Sequence, residues 1–241
     1  MTDPRGIGFA LLPDSPENRL ATALVSHASD LSEAAQSLEL AREAGEGSAL
    51  WMPLTMHAVT AYVRPFIHSA VRHRLDRMSC FPGIPDERRS LHETIRRYRN
   101  TTVAHSQSTL VLPVALAVLD TRGLVTDVRG FCVTQQMPGA IAAEFDELID
   151  TVRTLVAEAT RPVLHALREH YRRVDAATVS GWPGPDVASA PDTDFTAAQA
   201  RNRNPRFTAY AHTESRPLPP EADVEAAPDA VPMERRVPPG L

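Results

Sequence analysis

The chain contains no lysine: all 25 basic residues are arginine, set against 30 acidic ones for a formal net charge of −5. That balance excludes a uniformly basic protein that coats nucleic acid. Arginine nevertheless forks onto two phosphate oxygens better than lysine wherever a local cluster forms. Cysteine is scarce: Cys80 and Cys132 have no CxxC spacing and form no disulfide framework, which fits a reducing compartment with both thiols buried as small hydrophobes. No apolar run reaches the ~20 residues of a membrane span. The longest, Ala49 to Val63, contains His57. With no charged-then-apolar leader, the expectation is a soluble, cytoplasmic protein.

Several chemistries lack their residues. There is no GxSxG elbow and no P-loop, and Gly6-Ile7-Gly8 has no strand before it, so serine hydrolysis and a nucleotide cofactor are unsupported. His92-Glu93-Thr94-Ile95-Arg96 misses the zinc motif HExxH because Arg96 stands where the second ligand belongs. His68 with His73, and His165 with His170, are five apart, which turns the rings of each pair away from one another on a helix. No metal and no cofactor are expected.

What is present is helical periodicity. Ser15-Pro16-Glu17 is a capped start, followed by Leu20, Leu24, Ala28, Leu31, Ala35 and Leu38 until Gly45. Ser48 caps a second helix, apolar on most faces through Ile67, which runs through the centre of a bundle and is bent or shifted by Pro53 and Pro65. Asp86 begins a third, with Leu91, Ile95, Tyr98 and Thr102 on one face. Leu110 to Leu119 and Leu124 to Val133 read as a hairpin around Asp120-Thr121-Arg122-Gly123, with Pro113 at an edge position. Pro138 opens a long fourth helix with Ile141, Phe145, Leu148, Val152, Leu155, Val156, Ala159 and Val163 inward, kinked near Pro162.

The reading is a mainly α protein: an N-terminal arm over residues 1–14, then a four-helix bundle with one inserted β-hairpin over residues 15–174. A Pro-rich disordered tail covers residues 175–241, where 11 of the 21 prolines fall in 67 residues. Within it, the segment from Arg201 to Phe207 and Tyr210 read first as a solvated linker, with charge and stacking toward RNA or a protein as the alternative.

The chemistry concentrates at Arg99-Asn100-Thr101-Thr102-Val103-Ala104-His105-Ser106. With 25 arginines and nine histidines, an arginine separated from a following histidine by four to six intervening residues arises by chance about three times. The only other occurrence, Arg206 to His212, lies in the tail. Cleaving RNA without a metal needs a base for the ribose 2′-hydroxyl, an acid for the leaving 5′-oxygen and cations for the phosphorane. His105 can hold or release a proton near neutrality, Arg99 can fork onto phosphate, and Asn100 can orient either. A six-residue step turns a helix by about 600° and rises about 9 Å, so Arg99 and His105 lie on different faces unless the β-branched run loosens the last turn or a second chain completes the site. His105 is equally readable as a helix cap on the last carbonyls.

Over residues 72–99, eight arginines face Asp76, Asp86, Glu87 and Glu93, a local excess of +4 that suits phosphate. Arg64, Arg96 and Ser106 are the candidate substrate-binding residues. Arg64 follows the most apolar run of helix two, so it either reaches a cleft or pairs with an acid.

Tyr98-Arg99-Asn100 running to Val103-Ala104-His105-Ser106 resembles the signature of the HEPN superfamily of all-helical, mostly RNA-cleaving domains. Ala49-Leu50-Trp51 with Ala61-Tyr62-Val63-Arg64-Pro65-Phe66 is similar to the preceding helix of its abortive-infection members. The resemblance implies a HEPN-like four-helix bundle acting as a toxin or abortive-infection effector, with Arg99, Asn100 and His105 catalytic. It also implies RNA as substrate, a homodimer with facing motifs, and an antitoxin or regulatory partner. Many HEPN toxins carry a tyrosine two positions after the histidine, where a nucleotidyltransferase antitoxin modifies it; Gln107 here speaks against that route. The alternative is a catalytically inactive bundle that binds RNA, a nucleotide or a protein.

Overall fold

The computed structural model describes residues 8–184 and the backbone of residues 186–188 and 208–210. The first unit is built from α1 (Pro16–Ala44), α2 (Trp51–Val63), α3 (Asp86–Tyr98), a β-hairpin of β1 (Val111–Leu119) and β2 (Val125–Thr134), α4 (Gly139–Tyr171) and α5 (Ala176–Ser180). A mainly helical architecture with one inserted hairpin is what the periodicity implies. In the second unit, β3 (Asp186–Ala188) pairs in parallel with β4 (Thr208–Tyr210). The tail segment Arg201 to Phe207 lies outside the described residues.

α1 begins as the sequence dictates. The Ser15 hydroxyl accepts the Asn18 amide at 3.1 Å and Pro16 takes the first helical position, where a missing N–H loses nothing. Ala21, Leu24, His27, Leu31, Ala34, Leu38 and Ala41 form its buried stripe. Gly45, at φ 84°, closes it by donating to the Ala41 carbonyl. α2 starts later than Ser48: that hydroxyl accepts the Leu50 amide one turn earlier, and Pro53 sits inside the first turn, where amides are unpaired anyway. Pro65 ends α2 in a 3₁₀ turn over Arg64–Phe66, so the helix stops before Ile67.

α1 packs on α2 and α4, and α3 packs on α2 and α4. The shared core holds Leu24, Leu31, Tyr62, Phe66, Ile95, Phe145 and Leu148. Tyr62 stands edge-on to Phe145, with ring centroids 5.2 Å apart. The Trp51 indole donates to the Met137 carbonyl at 2.8 Å and ties α2 to the start of α4. α4 continues through Pro162 and buries Phe145, Leu148, Val152, Val156 and Ala159; Ile141, Leu155 and Val163 are only partly covered.

Two boundaries shift. Residues 175–184, placed in the tail by their lost periodicity, belong to the helical unit: Asp175 caps α5 through the Thr178 amide, and Trp182 lies edge-on to Tyr171. Residues 8–14 join them, since the Leu11 amide donates to the Pro183 carbonyl at 2.8 Å. Cys132 is exposed on β2 rather than buried, and Cys80 is half-buried. Among the described residues, no helix is long and apolar enough to cross a membrane.

Candidate active site

α3 is stabilised for its charge. Asp86 and Glu87 occupy its first turn and Arg96 and Arg97 its last, complementing the helix dipole. Beyond Tyr98 the winding changes. Arg99–Val103 form a π turn in which the Ala104 amide reaches back five residues to the Arg99 carbonyl, at 2.9 Å. Thr101 and Thr102 make this local: the Thr101 hydroxyl bonds the Arg97 carbonyl, and the buried Thr102 hydroxyl bonds Ser108 beyond the helix.

The extra residue carries into the helix end. Ser106 donates to the Thr102 carbonyl and Gln107 to the Thr101 carbonyl, each one residue wider than in a Schellman cap. Ser106 sits at φ 50°, the one left-handed non-glycine among the described residues. The β-branched run therefore does loosen the last turn.

This turn holds His105 exposed, with no hydrogen-bond partner among the described residues, so it does not cap the last carbonyls. Arg99 is half-buried, and its guanidinium donates to the Asn100 carboxamide at 3.1 Å. The structure thus brings Arg99 and Asn100 together. No hydrogen bond joins either to His105 within one chain. Ser106 is exposed beside His105.

Arg64 and Arg96 lie elsewhere in the charge map. Arg64 bonds Glu33 at 2.6 Å and Asp30 at 3.4 Å, so of the two outcomes open from the sequence it pairs with acids. Partial burial pulls its pKa down, but the Glu33 bond and the two carboxylates outweigh that and hold the guanidinium charged. Arg96 pairs with Glu93 at 3.2 Å. Arg72, Arg74, Arg88 and Arg89 likewise have carboxylate partners in Asp30, Asp76, Glu147 and Asp86. Asp30 and Glu147 come from outside residues 72–99, so they halve the expected cationic excess. Arg77, Arg97 and Arg99 are the arginines of this stretch without a carboxylate partner among the described residues.

Two arrangements escaped the sequence. On α1, Asp30 and Glu33 flank the buried Leu31 and Ala34 and gather Arg72, Arg64 and His57 into one ionic chain, with His57 Nε2 2.7 Å from Glu33. The signal was two acids one turn apart at the rim of an apolar stripe. Inside the core, His92 Nδ1 meets the Tyr62 hydroxyl at 2.7 Å. Burial, helped by the charge of Arg96, pushes the His92 imidazole down to about 4.

Family models, curated proteins and solved structures yield no match to this chain. The chemistry of the motif must stand on its own geometry. Among the described residues no cluster of three or more His, Cys, Asp or Glu is placed to hold a metal.

Proposed function

We propose that the chain is a metal-independent endoribonuclease of the HEPN type, a toxin or abortive-infection effector in antiphage defence. The observation that carries this is a coincidence at one motif: a π turn and a left-handed serine bracket an exposed histidine that has no hydrogen-bond partner among the described residues. Both irregularities cost stability, and both concentrate where a side chain must be aimed.

In this reading the ribose 2′-oxygen attacks phosphorus while a base takes its proton. The P–O5′ bond breaks and the leaving oxygen is protonated, giving a 2′,3′-cyclic phosphate and a 5′-hydroxyl. His105 serves as base or acid, Arg99 stabilises the equatorial phosphorane oxygens, and Asn100 holds the guanidinium in place. One chain offers one such histidine. A second copy facing it across a two-fold axis supplies the complementary proton carrier, which makes the motif a dimer interface. With Arg64 and Arg96 engaged by acids, phosphate steering falls to Arg97 and Arg99.

Induced expression should arrest growth of a bacterial host, and Arg99→Ala and His105→Ala, each shown to melt like wild type, should abolish the arrest. Growth unaffected by wild-type chain, with RNA bound equally by wild type and His105→Ala, would favour the inactive binding module.

A further inference from the structure

The hairpin is apolar where it should be polar. Leu112, Leu116, Leu119, Val125, Val128 and Phe131 are 50–66% exposed, and β1 and β2 pack chiefly on each other. An isolated two-stranded hairpin is marginal in water, whereas three or more strands sharing an apolar face are stable.

Its two edges are unlike. The Gln135 amide donates to the Leu110 carbonyl at 2.8 Å, which fixes the bonded pairs of the ladder at alternate positions. Leu112–Val133, Val114–Phe131 and Leu116–Arg129 are then bonded, so the amides of Val128, Gly130 and Cys132 point outward on β2. On β1 the outward set includes Pro113, which has no amide to offer, so that edge is blunted. β2 is the receptive edge. Its Val128 amide is met at 2.8 Å by the Asp127 carboxylate, which also accepts Arg129 at 3.1 Å, a guard of the kind that keeps a free edge from pairing indiscriminately.

The sequence of β2 is self-complementary in one register. Two copies paired antiparallel with the axis on Val128 place Asp127 opposite Arg129 of the other copy, twice, at non-bonded positions where side chains approach most closely. An axis on Asp127 or Arg129 sets like charges face to face, and one on Gly130 leaves Asp127 opposite Val133. We propose that the hairpin is a homodimerisation arm, two copies joining their β2 edges about Val128 into a four-stranded sheet. The guarding carboxylate and guanidinium exchange their intrachain contact for the one between chains. This interface is separate from the motif-to-motif pairing and does not depend on the ribonuclease reading.

Sedimentation equilibrium of the full chain, beside mild oxidation of a Val128→Cys variant in a Cys132→Ser background, tests it. The expected results are self-association through the hairpin, to a dimer or to higher order where the motif pairing forms as well, a Val128→Cys disulfide linking two chains, and no such link from Ala117→Cys on the β1 edge. Asp127→Arg should raise the hairpin-dependent dissociation constant about tenfold or more, and Asp127→Arg with Arg129→Asp should restore it. A wild-type chain monomeric at tens of micromolar, equal cross-linking from Ala117→Cys, or dimerisation indifferent to Asp127→Arg would overturn the proposal.

Discussion

Acidifying the protein from pH 7 to pH 5 should remove about 4 kcal/mol of stability through two histidines. His27 on α1 is 0% exposed and His92 on α3 4%. Burial, with Arg72 adding repulsion at the first and Arg96 at the second, pushes both imidazoles from 6.5 to about 4. His27 Nε2 donates to the His73 carbonyl while Nδ1 has no partner, an arrangement that suits only the neutral ring. The unfolded chain protonates both rings near 6.5, so below that pH it binds more protons than the native state and stability falls with acid. Each ring removes about 2 kcal/mol by pH 5 and about 3 kcal/mol below pH 4; above pH 6.5 the effect disappears. Urea unfolding at pH 7, 6 and 5 measures it. His92→Phe leaves the Tyr62 hydroxyl unpaired and is less stable at pH 7, yet its pH dependence should be flatter by about 1 kcal/mol per unit near pH 5.5. His27→Leu should flatten it equally. Variants that keep the wild-type slope, or NMR titration of the two rings near 6.5, would refute the argument.

Three further substitutions probe the frame. Ser106→Gly should raise stability by about 1 kcal/mol in thermal melts, because glycine adopts the left-handed conformation without strain. Arg72→Ala leaves the largely buried Asp30 short of its main cation and should cost about 2–4 kcal/mol in urea unfolding, with salt altering the loss little. Trp51→Phe removes the bond to the Met137 carbonyl at the entry to α4 and should cost about 1–3 kcal/mol by the same assay.

The four long helices and the hairpin were legible because each carries a strong local signal: Ser15-Pro16 and Gly45 bracket α1, and Asp120 with Gly123 at φ 81° makes the hairpin turn. The end of α2 was not, since the position at which Pro65 stops a helix depends on packing around Phe66. Residues 175–184 carry too little periodicity to be assigned, and it is Tyr171 and the N-terminal arm that order them. At the site, loosening of the last turn by Thr101-Thr102-Val103 was one of two alternatives the sequence left open, and the π turn over Arg99–Val103 realises it. The fate of individual arginines did not, because their partners come from other elements: Arg64 finds Glu33 across the bundle and Arg88 finds Glu147 on α4.

The most direct measurement is incubation of total RNA with purified protein in EDTA, wild type beside Arg99→Ala and His105→Ala of matched melting temperature, with product ends mapped. The account predicts cuts leaving 2′,3′-cyclic phosphate and 5′-hydroxyl ends, absent from both variants. Cleavage that persists in His105→Ala, or that requires a divalent metal, would contradict it.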